Sequence, residues 1–179
     1  MRANHVLLIT AFLIACLMFP LAAQADGIRV TIEGAKQGHF KGDNPAHEKE
    51  GISALKFSQE IGSPRDAATG VASGKRQHKP IVITKLLGPS SPELFEAIAT
   101  NEVLKTVLIE FSHSNAGGGL EVYYTVKLTN ASISSIRQYT EESKIGMTMQ
   151  LEEVSLTFQK IEVQHLGAKT TGADDWSAR

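Results

Sequence analysis

The chain has 179 residues, 42% hydrophobic and 21% charged, with 18 basic against 19 acidic side chains and a formal net charge of −1. Such balance excludes nucleic acid as the main partner, because phosphate binding needs clustered Lys and Arg. The one cysteine, Cys16, excludes a disulfide framework, so the fold must be held by packing or self-association.

In chain order, Val6 to Phe19 is almost purely apolar and Ala23-Gln24-Ala25 forms an A-x-A pattern before Asp26. Residues 1–25 therefore read as a secretory signal peptide, cleaved near Ala25. The apolar run is too short to span a bilayer, so no stable membrane insertion is expected. Leu13-Ile14-Ala15-Cys16 also resembles a lipoprotein box, but the chain stays apolar past Cys16, where a mature lipoprotein turns polar. A secreted or periplasmic protein is expected; an unused signal would leave a cytoplasmic pool.

Ile28, Val30 and Ile32 alternate with polar residues, which predicts a half-buried strand. Ala35 to Gly51 reads as a polar loop. Ile52 to Ile61 reads as a second strand with Leu55, Phe57 and Ile61 on one face. Gly62 to Pro80 is a long loop rich in Gly, Ser and Pro, of the kind that is functional or disordered. Its cluster Gly74-Lys75-Arg76-Gln77-His78-Lys79 reads as solvated. Ile81 to Leu87 is a third, β-branched strand.

Residues 92–100 predict a short helix. Ser90 or Ser91 can cap it, Pro92 suits the first helical position, and Glu93 can complete a capping box with Ser90. Leu94, Phe95 and Ile98 share its apolar face, and Asn101 is the stop. Two turns with one apolar face cannot stand alone, so the helix should plug the open end of a barrel.

Val107, Ile109 and Phe111, then Val122, Tyr124, Val126 and Leu128, give a hairpin turned by Asn115 to Gly119. The second arm of that hairpin continues through Ala131, Ile133 and Ile136 in a changed phase. In the last strand Met147, Met149 and Leu151 share one parity, Val154, Leu156 and Phe158 the other, and Ile161 and Val163 return to the first. The slips predict β-bulges near Glu152-Glu153 and Gln159-Lys160, which would help a sheet close. Gly167 to Arg179 reads as a polar tail ordered through Trp176.

Chemistry is sparse. The histidines 39, 47, 78, 113 and 165 show no i, i+4 metal spacing, and His47-Glu48-Lys49-Glu50 reads as a solvated loop rather than a cation site. There is no nucleophile elbow and no phosphate loop. Asn115-Ala116-Gly117-Gly118-Gly119 precedes no helix, so it is a turn. Glu152 and Glu153 should point to opposite faces. No catalytic residue, metal or cofactor is expected.

The segment His78 to Glu102, "HKPIVITKLLGPSSPELFEAIATNE", resembles the haemolysin-coregulated protein family (Hcp), the tube protein of type VI secretion. "DGIRVTIEGAKQG", "HEKEGISALKFSQEI", "GGGLEVYYTVKLTNASISSI", "KIGMTMQLEEVSLTFQKIEVQH" and "DDWSAR" fall in the family's order. No single one is diagnostic; the ordered set is fairly specific. The resemblance implies a mainly β fold, a small antiparallel β-barrel with one short flanking α-helix over residues 26–167, followed by a polar C-terminal tail, 168–179. It implies six copies in a ring, rings stacked into a tube, a spike protein at the tip and small effectors in the lumen. It also implies that the loop at 62–80 contacts the neighbouring ring, which assigns Arg65, Gly70, Gly74, Lys75 and Arg76 to ring stacking.

The leader departs from that pattern, since the family normally leaves the cell without a cleaved signal. A periplasmic or secreted Hcp-like binding module, unrelated to tube assembly, is the alternative. It would draw on Tyr123, Tyr124, Tyr139 or Trp176. An enzyme would need shifted acidities converging near His113 or Glu152.

Overall fold

The computed structural model describes residues 27–43, 51–115, 117 and 119–177. The leader expected at 1–25 and the acidic stretch at 47–50 lie outside them. Among the described residues, nine strands and a helix follow in order: β1 Gly27–Gly34, β2 Ile52–Ser58, β3 Ile61–Gly62, β4 Gln77–His78, β5 Ile81–Leu86, α1 Ser91–Ala99, β6 Leu104–Ser114, β7 Leu120–Glu142, β8 Thr148–His165 and β9 Thr170–Asp175.

The main sheet runs β5-β2-β1-β6-β7-β8-β9, and β5 also pairs with β8. That second pairing closes six antiparallel strands into a barrel, which removes their free edges. β9 continues along the β8 edge beyond β5, pairing Lys160 with Asp175 through His165 with Thr170. The polar stretch after Gly167 is thus a strand, held by ladder bonds that its composition does not advertise.

Closure uses one-residue register shifts. They fall at Leu55 in β2, Lys105 in β6, and Tyr123 and Ser134 in β7. The bulge expected at Glu152-Glu153 is not in β8, whose register with β5 is unbroken from Leu151 to Leu156. The extra residue is across the ladder, at Ser134. At Gln159-Lys160 the phase does change, but both strands change it together. Thr129 pairs with Lys160 and Ala131 with Phe158, so the register is kept. Asn130 takes the left-handed conformation there (φ 48°), and its side-chain amide donates to Gln159 Oε1 at 2.7 Å. Asn tolerates that region because its short polar side chain bonds locally.

Inward residues from every barrel strand form one core, among them Val30, Ile52, Ile83, Ile109, Val126 and Leu156. The cavity between Val30, Ile52, Leu94 and Leu156 measures about 10 Å³, at the lower limit of what one water needs. The bulge at Leu55 corrects the reading of β2. Ile52 and Ala54 point inward, Phe57 follows after the slip, and Leu55 is turned out, half exposed.

α1 seats Leu94 and Ala97 in the core, with Ile98 packed against it, and so closes one barrel end. Burying Leu94 is worth about 1.5–3 kcal/mol. Phe95, expected on that face, is instead 64% exposed. Asn101 stops the helix (φ 50°) in a Schellman arrangement. Its N–H donates to Ile98 O at 3.3 Å and the Glu102 N–H to Ala97 O at 2.8 Å. The capping box does not form: Ser90 Oγ has no hydrogen bond, and Glu93 Oε2 accepts from the Lys41 N–H at 2.8 Å.

Candidate assembly site

β2 and β5 are joined at the barrel end opposite α1, and that connection is the segment predicted as a long loop. It is an ordered hairpin arm. β3 and β4 pair Ile61 with His78 and Gly62 with Gln77 in a two-stranded sheet of their own. Farther out, Ser73 N–H donates to Pro64 O at 3.0 Å and Arg65 bridges to Ala72. Asp66 builds the tip: its Oδ1 accepts from the N–H groups of Ala68 and Thr69 and from Thr69 Oγ1, and these bonds hold its carboxyl below the ordinary range. Gly70 completes the turn at φ 69°, where a Cβ would be strained. Val71 stands beside it, 62% exposed.

Of the five residues assigned to stacking, Arg65 and Gly70 meet at the tip, with Arg65 Nη1 donating to Gly70 O at 3.5 Å. Gly74 lies on the return leg against the Pro64 ring, and Lys75 follows it. Arg76 is elsewhere, turned back from the arm base onto the C-terminal segment. Its Nε donates to Asp174 Oδ2 and its Nη2 to Asp175 O at 3.1 Å. His78 Nε2 meets the same Asp174 oxygen at 2.8 Å. The bonds from Arg76, then His78, lower the Asp174 pKa to about 2. Arg76 lies 5.5 Å from the Trp176 ring centroid, and His78 packs edge-on against Phe158 and Trp176 at 5.3 and 5.7 Å. So the basic cluster read as solvated is anchored at its base. His78 and Asp174 are 96 positions apart. The only local signal was the Asp-Asp-Trp run itself.

At the opposite end, two buried carboxylates fix the lid. Glu152 faces inward, with Oε2 accepting from Ser91 Oγ at 2.9 Å and Oε1 from Gln138 Nε2 at 2.7 Å. Lys85 Nζ sits 3.3 Å from Glu152 Oε2. Glu153 points outward and accepts from Tyr139 Oη at 3.1 Å, as strand alternation required. Glu102 gathers the turn after β1: Oε1 accepts the Lys36 and Gln37 N–H groups at 2.6 and 2.8 Å, and Oε2 accepts Gln37 Nε2 at 2.9 Å. Burial raises the Glu102 pKa, but these bonds outweigh it and the net shift is downward.

His113 packs at a tilt against Tyr123 at 5.0 Å, far along the ladder from Glu152. Tyr123 and Tyr124 both meet the His165 ring, at 6.1 and 6.4 Å, whereas Tyr139 lies under Arg137 and Trp176 over the arm base, so the four are split over three places. Among the described residues no group of three or more His, Cys, Asp or Glu converges as a metal site. No described helix is long and apolar enough to cross a membrane. An outer groove of about 570 Å³ lies over β6 to β9, lined by Lys127, Glu162, Gln164 and Gly172 among others.

A closed barrel around one core, with a lid at one end and an ordered arm at the other, defines a small β-barrel protein that carries a protruding arm. The chain matches the family model described as "Type VI secretion system effector, Hcp" over residues 30–165 and belongs to the Hcp family. A curated relative, "Major exported protein" of Pseudomonas aeruginosa, is 34% identical over 161 residues, 82% of this chain and 93% of the relative. A solved structure described as an Hcp protein is 31% identical with a TM-score of 0.76, covering 84% of this chain and 99% of the other. The secreted protein Hcp3 from Pseudomonas aeruginosa is 30% identical with a TM-score of 0.69, covering 86% and 100%.

Proposed function

We propose that this chain is an exported structural subunit of a type VI secretion system, whose copies close into six-membered rings that stack into a tube. The observation that carries this reading is the pairing of a closed barrel around one hydrophobic core with an ordered arm that carries exposed Val71 near its tip. A subunit of a stacked ring needs such a protrusion on one end and a different surface on the other, because head-to-tail contacts join unlike faces. The barrel supplies both: β5 starts where the arm ends and finishes where the lid begins.

In this reading Arg65, Gly70, Lys75 and Val71 reach the neighbouring ring, while Gly74 and Arg76 shape and anchor the arm. The spike protein and small effectors are its other partners, and a leader at 1–25 would route it to the periplasm or beyond. Static light scattering with negative-stain imaging tests the proposal. Rings of six that stack at high concentration support it; a monodisperse monomer at every concentration refutes it. The outer groove over β6 to β9 favours one second reading, a secreted binding module. That reading requires a monomer whose Lys127 and Glu162 amides shift on adding a glycan or small ligand.

A further inference from the structure

The arm is attached to the barrel by little of its own. Its ladder is a sheet separate from the barrel sheet. At its root, Lys79 N–H donates to Glu60 O at 3.0 Å, and the Lys79–Glu60 ion pair beside it is exposed on both sides. Exposed pairs contribute little, and a lone two-stranded hairpin is at best marginal in water.

The direction is set from outside the arm. Asp174 takes donors from Arg76 and His78, both on the return leg. Trp176 lies against both, and its own N–H donates to Gln159 O at 3.0 Å, which ties it to β8. Phe158, also on β8, packs in a T-shaped contact with His78, whose side chain is only 6% exposed. Two side chains of the arm base are thus gripped between β8 and the end of β9. Asp174 and Trp176 themselves lie outside the hydrophobic core.

We propose that Asp174 and Trp176 form a clasp that aims the arm, making the C-terminal strand the positioning element for ring stacking. The proposal rests on the stacking role given to the arm above. It assigns Asp174, Trp176, Arg76 and His78 a job distinct from contact with the next ring: they keep the tip pointed while Arg65, Val71 and Lys75 do the touching. Ring closure needs the barrel alone, whereas stacking needs the clasp as well.

Hydrogen exchange on the full chain, paired with particle imaging, tests this. In Asp174→Ala and Trp176→Ala the arm amides of Asp66, Val71 and Ser73 should exchange on the order of tenfold faster, with barrel amides of β1 and β6 unchanged. Rings should persist and stacks should shorten. Arg76→Ala, made from the arm's side, should give the same result, and Arg76→Asp with Asp174→Arg should restore arm protection and stack length. Wild-type protection of the arm in all three single variants overturns the clasp. A loosened arm with stacks of wild-type length overturns its positioning role. A loosened arm in the variants, with a wild type that forms no rings, supports the clasp and overturns the stacking reading on which the positioning role depends.

Discussion

Lys85 and Glu152 meet inside the mouth of the barrel, Nζ to Oε2 at 3.3 Å, beneath the first turn of α1. They are 1% and 0% exposed. Ser91 Oγ bonds to both and also accepts the Gly88 N–H at 3.1 Å, while Lys85 Nζ donates to Leu86 O at 2.7 Å. The pair therefore seats the lid through Ser91, whose hydroxyl bonds Lys85 and Glu152, whereas the Ser90 hydroxyl caps nothing.

Removing one partner leaves the other charge buried alone. Glu152→Ala or Lys85→Ala should each cost about 3–5 kcal/mol of unfolding free energy. A Lys85→Met, Glu152→Leu double change should lose far less than the two single losses combined, because the pair is coupled. Urea unfolding of the four proteins measures this; additive losses would show that the pair does not act as a unit.

Glu102 sets an acid limit. Its pKa is lowered from 4.5 in the fold, so the folded state binds fewer protons than the unfolded chain near that value. The stabilisation is complete above about pH 5 and is lost as pH falls through the folded pKa. Thermal melts from pH 6 to pH 3 should drop more steeply for the wild type than for Glu102→Gln. Parallel curves would remove Glu102 from the account.

Gly34 lies where β1 meets that carboxylate. A Cβ there would sit 2.5 Å from Glu102 Oε1 and 2.9 Å from Phe40 Cε1. Both neighbours are buried and one is held by three donors. Gly34→Ala should destabilise by about 1–3 kcal/mol through overpacking. A melt unchanged within a degree would contradict this.

At the arm tip, Val71→Asp should leave the fold and the rings intact and abolish stacking. The side chain makes no core contact, so its melting temperature should stay at the wild-type value. Sedimentation separates rings from stacks. Stacks of undiminished length would remove Val71 from the contact.

Much of the barrel was legible because alternation with period two is a local property. The strands at Ile28, Val107 and Val126, the Asn115 turn and the Asn101 stop all depend on neighbours close in sequence. Asn115 does organise its turn, accepting the Gly117 and Gly119 N–H groups at 3.0 and 2.9 Å. Phase slips were visible too, but not their owner: parity in one strand cannot say which partner carries the extra residue. That is why Ser134, not Glu152-Glu153, holds the bulge. Leu55 and Phe95 misled for a related reason, since a bulge and the lid's tilt decide which apolar residue turns inward. The Asp174 clasp and the Lys85–Glu152 pair join residues 67 or more positions apart, and no spacing rule reports such contacts.

The central claim is that this filled barrel works by meeting copies of itself. The mass of the full chain in solution, by light scattering across a hundredfold range of concentration, tests it most directly. The account predicts a particle of six copies at low concentration and multiples of six as concentration rises. A single-copy mass throughout that range would contradict it.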